Sequence, residues 1–113
     1  MVEDDADSAD ALVRLLQMLG HQVRSADCVR SALLAAQSGP LDLLIADLGL
    51  PDGSGLDLMR TLAARRSVKG IALTGHALED DADESLRAGF GAHLTKPIEF
   101  NRLIEAIGNV CGM

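Results

Sequence analysis

The chain has 113 residues, of which 48% are hydrophobic and 2% aromatic, and its formal net charge is −7. This length suits one domain, so we expect residues 1–113 to share a core of Leu, Ala, Ile and Val. The acidic balance argues against direct nucleic-acid binding, which needs basic surface to meet phosphates. No apolar run approaches the ~20 residues of a membrane span, and acids stand where a basic leader region would be. We therefore expect a cytoplasmic domain without membrane contact.

Strand-like and helix-like segments alternate along the chain. The predicted strands are Met1–Val2, His21–Ala26, the run from Leu43 that ends at Asp47, Lys69–Leu73 and Ala92–Thr95. The predicted helices are a first one ended by Gly20, a second from the N-cap Asp27 to Gln37, then Leu56–Arg65, Glu79–Ala88 closed by Gly89, and a last one around Phe100–Ile107. Such alternation with short loops predicts an α/β fold, a parallel sheet with helices on both faces.

Polar residues stand where the predicted strands end. Asp47 follows a buried apolar run and precedes the turn-rich loop Leu50–Gly55. The acids Glu3 and Asp4 follow the first strand. Thr74 follows the fourth strand, and Lys96 with Pro97 follows the fifth. Ligands of open parallel sheets bind at the carboxyl ends of the strands, and a buried carboxylate needs partners, so these side chains are expected to form one site.

This series of residues resembles the receiver domain of two-component response regulators, over nearly the whole chain. The sequences of the loop after Asp47 and of the segment Gly89–Pro97 are most similar to those of receivers of hybrid sensor histidine kinases. The resemblance implies a flavodoxin-like, doubly wound fold with five helices and five parallel strands in the order 2-1-3-4-5.

The resemblance also implies roles for the acidic residues. Asp47 would be the phosphoacceptor, whose carboxylate attacks a phosphoryl group to form an acyl phosphate. Mg²⁺ would be bound directly by Asp4 and Asp47, by Glu3 through water, and by the Gly49 carbonyl. A hard cation of this kind would also relieve the repulsion among the three acids. Taken singly, Asp47 could be a turn cap, and Glu3-Asp4 an acidic first helical turn.

The remaining roles follow from the resemblance as well. Lys96 would pair with Asp47 and then with a phosphoryl oxygen, and its bond to Pro97 would be cis. Thr74 would donate its hydroxyl to another phosphoryl oxygen and would move with His93 as the switch, although many receivers carry Tyr or Phe at the latter position. Gly49 and His76 occupy the positions that tune hydrolysis of the phosphoryl group. Alone, Lys96 could be a solvated surface residue and Thr74 a strand filler.

The implied partners are a histidine kinase or a histidine phosphotransfer protein as phosphodonor, and a downstream protein or attached kinase domains as recipient of the signal. A phosphorylation-dependent dimer is also compatible with the resemblance. Two other functions remain open: a pseudo-receiver that binds proteins without phosphorylation, and an aspartyl-phosphate phosphatase. The phosphatase hypothesis is the weaker of these two, because Gly49 stands where such enzymes carry their second acid.

The first strand is unusually short. Only Met1 and Val2 precede Glu3, whereas a strand normally has about five residues. In the order 2-1-3-4-5 this strand would be central, and its truncation would leave both neighbours without partners. We therefore expect further polypeptide upstream, most simply a hybrid sensor histidine kinase with this domain at its C-terminus.

Overall fold

A computed structural model describes residues 1–3, 6–37, 39, 41–50, 52–65, 68–74, 85–96 and 98–111. Its helices are α1 (Ala6–Met18), α2 (Val29–Gln37), α3 (Gly55–Arg65) and α4 (Phe100–Cys111), and residues 85–88 are also helical. Its strands are β1 (Leu43–Asp47), β2 (Gly49–Leu50), β3 (Gly53–Ser54), β4 (Lys69–Thr74) and β5 (Ala92–Thr95). No helix in these ranges is long and apolar enough to cross a membrane.

The central sheet is parallel and has the order β1-β4-β5. Side chains of successive strand residues point to opposite faces, so each strand supplies two cores. One core contains residues of β1 and β4 with α2 and α3: Leu44, Ala46, Ala72, Ala32, Ala36, Leu58, Met59 and Leu62. The other contains the alternate strand residues with α1 and α4: Ile45, Ile71, Leu73, Leu16, Leu103, Ala106 and Ile107. The predicted parallel sheet with helices on both faces is confirmed.

The two predicted strands at residues 1–2 and 21–26 are reduced to isolated parallel bridges. Val2 bridges Ala26 on one side and Ala46 on the other, which are the places of strands 2 and 3 in the order 2-1-3-4-5. No regular ladder forms there, however, so the five-strand order is not complete among the described residues. The physical reason is the length of the central segment: three residues offer too few ladder hydrogen bonds to hold residues 21–25 in a strand.

Glycines end the helices as predicted. Gly20 follows α1 with φ +94°, and Gly89 follows residues 85–88 with φ +114°, a region that favours glycine. The amide of His21 donates to the Leu16 carbonyl at 3.2 Å, which pairs one of the last free carbonyls of α1. The first part of the predicted helix Glu79–Ala88 lies outside the described residues.

The start of α2 differs from the prediction. Asp27 was expected to cap this helix, but the first amides donate instead to a distant side chain, Asp52. The Val29 amide lies 2.7 Å from Asp52 Oδ1, and the Arg30 amide lies 3.0 Å from Asp52 Oδ2. Asp27 accepts from the Ser31 hydroxyl at 3.2 Å. The Asp52 carboxylate, which comes from the loop after β1, accepts hydrogen bonds from two amides at once and takes the capping role predicted for Asp27.

Gly70 in β4 lets two side chains pack closely against the strand. A Cβ at this position would lie 2.7 Å from Phe90 Cδ1 and 2.8 Å from Met59 Sδ. Real carbon atoms do not approach that closely, so glycine lets the ring and the thioether pack directly on the strand.

Candidate functional site

Asp47 lies at the carboxyl end of β1, where the sequence placed it. Its amide donates to the Val2 carbonyl at 2.9 Å, and the next amide, of Leu48, donates to the Leu73 carbonyl at 2.9 Å. The strand end is therefore held from both sides. The Asp47 residue is 7% exposed, and its Oδ1 accepts the Gly49 amide at 3.2 Å. A buried carboxylate is thus fixed at the edge of the sheet where ligands of parallel sheets bind.

Lys96 joins Asp47 to Glu3. Its Nζ lies 2.6 Å from Asp47 Oδ2 and 2.8 Å from Glu3 Oε2. The side chains of Glu3 and Asp47 are 1% and 10% exposed, whereas that of Lys96 is 32% exposed. The Lys96 amide donates to the Thr74 carbonyl at 2.7 Å, which continues the β4–β5 pairing and directs the lysine toward β1. One ammonium group therefore pairs with two buried carboxylates supplied by different segments of the chain.

The surroundings of Lys96 act on its pKa in opposite directions. Partial burial lowers the pKa, but the hydrogen bonds and negative charges of Asp47 and Glu3 outweigh burial, so the pKa of Lys96 is raised above 10.5. The amine is therefore a cation at neutral pH, able to stabilise negative charge that arrives at Asp47.

Thr74 and His93 lie on the two strands beyond Asp47. Thr74 is 5% exposed and ends β4, one residue after the partner of Asp47 in the β1–β4 register. His93 is half-buried in β5 and pairs with Ala72. Its buried Nε2 has no hydrogen-bond partner among the described residues. The structure thus brings Thr74 to the same sheet edge as Asp47 and turns part of the His93 ring into the protein.

Gly55 is a site residue that sequence reasoning missed. Its amide donates to the Leu48 carbonyl at 3.0 Å, which folds the loop back on the strand end. A Cβ at Gly55 would collide with the backbone carbonyl oxygen of Asp47. The short hairpin β2–β3, where Gly49 pairs with Ser54, was also not predicted. The dense glycines between residues 49 and 55 were the available signal, since glycine marks places where backbone approaches backbone.

Several predicted site residues lie outside the described residues: Asp4, His76 and Pro97. Among the residues that are described, no group of three His, Cys, Asp or Glu side chains is placed to hold a metal ion. The donors that are described nevertheless suit a hard cation. Glu3 and Asp47 present buried carboxylate oxygens beside a single positive charge, and Mg²⁺ takes oxygen ligands and keeps several waters.

Comparison with known proteins gives the site its context. The family model of the response regulator receiver domain matches residues 1–108. An uncharacterized 14.6 kDa protein of Leptolyngbya boryana is 33% identical over 98% of this chain and 87% of its own length. Response regulator protein PilR of Pseudomonas aeruginosa is 35% identical over 95% of the chain, and a probable histidine kinase 2 of Oryza sativa is 30% identical over 86%. The chain spans only 24% and 10% of the lengths of those two relatives.

Solved structures agree with this comparison. A CheY-like receiver domain protein from Methanospirillum hungatei is 30% identical, with a TM-score of 0.87 over 94% of this chain and 86% of that one. A Burkholderia pseudomallei response regulator, solved with a phosphorylated aspartic acid, a calcium ion and citrate, is 28% identical, with a TM-score of 0.86 over 93% of this chain and 62% of that one. The fold is therefore of the CheY-like, flavodoxin-like type. The chain belongs to the family of response regulator receiver domains of two-component signal transduction systems.

Proposed function

We propose that Asp47 accepts a phosphoryl group from a phosphohistidine on a histidine kinase or a histidine phosphotransfer protein, in the presence of Mg²⁺. The observation that carries this proposal is the Lys96 ammonium group, 2.6 Å from one Asp47 oxygen at the strand end. A lysine in that position can pair first with the carboxylate and then with an oxygen of the incoming phosphoryl group. The proposed unit is residues 1–113 as one domain, acting in the cytoplasm.

The reaction is a displacement at phosphorus. An Asp47 carboxylate oxygen forms a bond to phosphorus, the P–N bond of the phosphohistidine breaks, and its electron pair stays on the imidazole nitrogen. Lys96 pairs with one phosphoryl oxygen, and the Thr74 hydroxyl donates to another, so that negative charge is met by groups already in place. Mg²⁺ held by Glu3, Asp4, Asp47 and the Gly49 carbonyl would supply neutralisation of the carboxylate and phosphoryl charges. Gly49 and His76 would tune how fast water removes the phosphoryl group.

Phosphorylation would act as a switch on the surface built by β5 and the helices around it. When Lys96 and Thr74 turn to a phosphoryl group, the contacts that hold the unphosphorylated site change, and His93 moves with Thr74. Such a local change biases two preexisting arrangements of the domain. The recipient would be a downstream protein, attached kinase domains or a second phosphorylated copy.

Incubation with Mg²⁺ and a small phosphodonor tests the proposal, with intact mass as the readout. We expect one phosphoryl adduct on the parent chain and none on Asp47→Asn, which keeps the shape of the side chain and removes the nucleophile. Asp57→Asn is the matched control, because the Asp57 side chain is 73% exposed and its partner among the described residues is Arg60 on its own helix. It should be labelled as the parent chain is.

The outcomes separate the functions that remain open. Full, alkali-labile labelling of Asp47→Asn would refute the phosphoacceptor assignment. No adduct on the parent chain under any donor would instead support a protein-binding pseudo-receiver. Rapid turnover of many phosphoesters without a stable adduct would support a phosphatase.

A further inference from the structure

The hairpin β2–β3 is held at both of its ends. At its base, the Gly55 amide donates to the Leu48 carbonyl at 3.0 Å. At its turn, the two carboxylate oxygens of Asp52 accept two amides of α2, Val29 at 2.7 Å and Arg30 at 3.0 Å. The base is therefore fixed to the end of β1, whereas the turn is fixed to a helix that begins 23 residues earlier in the chain.

The backbone of the hairpin also lies against this helix end. A Cβ placed on Gly53 would be 3.3 Å from Val29 Cγ2, so no side chain separates the two segments there. Gly53 pairs with Leu50, and the neighbouring pair joins Ser54 to Gly49. The start of α2 is thus linked to Gly49 through two consecutive pairs of one short hairpin.

Gly49 connects this hairpin to the Asp47 carboxylate. Its amide donates to Asp47 Oδ1 at 3.2 Å, while the other oxygen, Oδ2, lies 2.6 Å from Lys96 Nζ. Its carbonyl is one of the proposed Mg²⁺ ligands. No atom of the described residues lies within 4 Å of a Cβ placed on Gly49, so side-chain packing does not confine it. The position of Gly49 therefore depends on the hydrogen bonds that hold the hairpin.

Asp52 is suited to hold a hairpin that lies in solvent. The bonds from the Arg30 and Val29 amides lower the pKa of its carboxyl below the usual 3.8, so the exposed side chain is an anion at neutral pH. An anion at the amino end of a helix is also stabilised by the helix dipole. Asp52 belongs to neither core, so its substitution can release the hairpin without emptying a packed position.

We propose that Asp52 is a positioning residue for the site at Asp47. By binding the amino end of α2, it holds the hairpin β2–β3 in place and keeps Gly49 where its amide meets the carboxylate and its carbonyl can meet a cation. This role rests on the proposed function, since the position of the carbonyl matters only where a cation binds. If a released hairpin kept this position about one third of the time, the apparent affinity for Mg²⁺ would fall about threefold.

Two substitutions of Asp52 and one matched control test this role. Asp52→Asn keeps one acceptor oxygen and Asp52→Ala keeps none, so their effects should be graded. Asp27→Asn is the control, because Asp27 is also exposed, lies beside the same helix end and loses the same charge, but its partner among the described residues is the Ser31 hydroxyl. A loss of Mg²⁺ affinity that comes from charge alone would therefore appear in the control as well.

The first measurement is hydrogen exchange of the metal-free protein. The Gly49 and Gly55 amides report on the hairpin, and the Ile71 amide, in the strand between β1 and β5, reports on global unfolding. A cap that only stabilises the fold would change all three amides alike. We expect the Gly49 and Gly55 amides to exchange about threefold faster relative to Ile71 in Asp52→Ala than in Asp27→Asn, with Asp52→Asn between them.

The second measurement is a titration with Mg²⁺ alone, without phosphodonor, followed by backbone amide shifts. We expect the dissociation constant of Asp52→Ala to be about threefold above that of Asp27→Asn, and that of Asp52→Asn to lie between them. Because both measurements omit the phosphoryl group, neither depends on whether Asp47 accepts one.

Each result supports or overturns the proposal. Equal relative exchange in Asp52→Ala and Asp27→Asn would overturn it and leave Asp52 as a helix cap. Faster exchange with an equal dissociation constant would overturn it as well, because the hairpin would then move without consequence for the cation. If the parent chain binds no Mg²⁺, the proposed metal fails, while the exchange of the Gly49 amide still decides whether Asp52 positions Gly49. If Asp52→Ala does not fold, Asp52→Asn against Asp27→Asn decides by the same criteria.

Discussion

Replacement of Lys96 by methionine tests the geometry of the site, because methionine keeps the apolar stem and removes the charge. In the parent protein the ammonium group contacts both Asp47 and Glu3, whose side chains are almost fully buried. The variant would leave two neighbouring carboxylates without their cation. Removal of one partner from a fully buried ion pair costs roughly 3–5 kcal/mol, mostly as the penalty of the charge left behind. Since 32% of the Lys96 side chain is exposed and water screens it, we expect a loss of about 2–3 kcal/mol in the free energy of unfolding.

The loss has a defined pH dependence. The folded-state pKa of Lys96 is raised, so its stabilisation is fully present below the unfolded value of 10.5 and disappears only as pH rises through the higher folded value. The parent protein therefore keeps the whole contribution at pH 7. The difference in the free energy of unfolding between the parent protein and Lys96→Met should therefore be fully present at pH 7 and should shrink only as pH rises above 10.5.

Urea denaturation followed by circular dichroism, without added metal, measures both effects. Lys69→Met is the matched control, because Lys69 is the other lysine of the chain and lies exposed at the start of β4. We expect it to change the free energy of unfolding by less than about 0.5 kcal/mol. A similarly small change in Lys96→Met would refute the view that this lysine stabilises two buried carboxylates.

Three further substitutions test the packing and capping around the site. Gly70→Ala forces a methyl group against the ring and thioether above β4 and should cost about 1–3 kcal/mol in urea denaturation, whereas Gly49→Ala, with no atom within 4 Å of the added carbon, should cost less. In Asp52→Asn we expect lower stability at pH 7, because two α2 amides hold the pKa of Asp52 below 3.8. This contribution is present above pH 3.8 and is lost as pH falls through the folded value, so the stabilities of the parent and the variant should converge in acid. Leu58→Ala empties a fully buried position of α3 and should lower the free energy of unfolding by roughly 2–5 kcal/mol; a loss below 1 kcal/mol would contradict the packing described for that core.

The sequence by itself determined the alternation of elements and the order of the strand-end residues. Apolar runs and helical spacing are local signals, and so are the turn residues that end each element. Gly20 and Gly89 end their helices at positive φ as their positions predicted, and Asp47 ends β1. Because parallel strands bring their carboxyl ends to one edge, the order of Asp47, Thr74 and Lys96 was enough to place them together.

Only the tertiary structure decided which distant groups meet. Asp52 caps α2 across 23 residues of sequence, Gly55 packs on the Asp47 carbonyl, and Lys96 bonds Glu3 as well as Asp47. Each contact depends on how loops fold over the sheet, which no local pattern records. Residues 21–25 show the same limit in reverse. Their composition suits a strand, but a strand needs a partner to bond with. Met1–Glu3 is too short to pair with all of residues 21–25, so only the isolated bridge between Val2 and Ala26 forms.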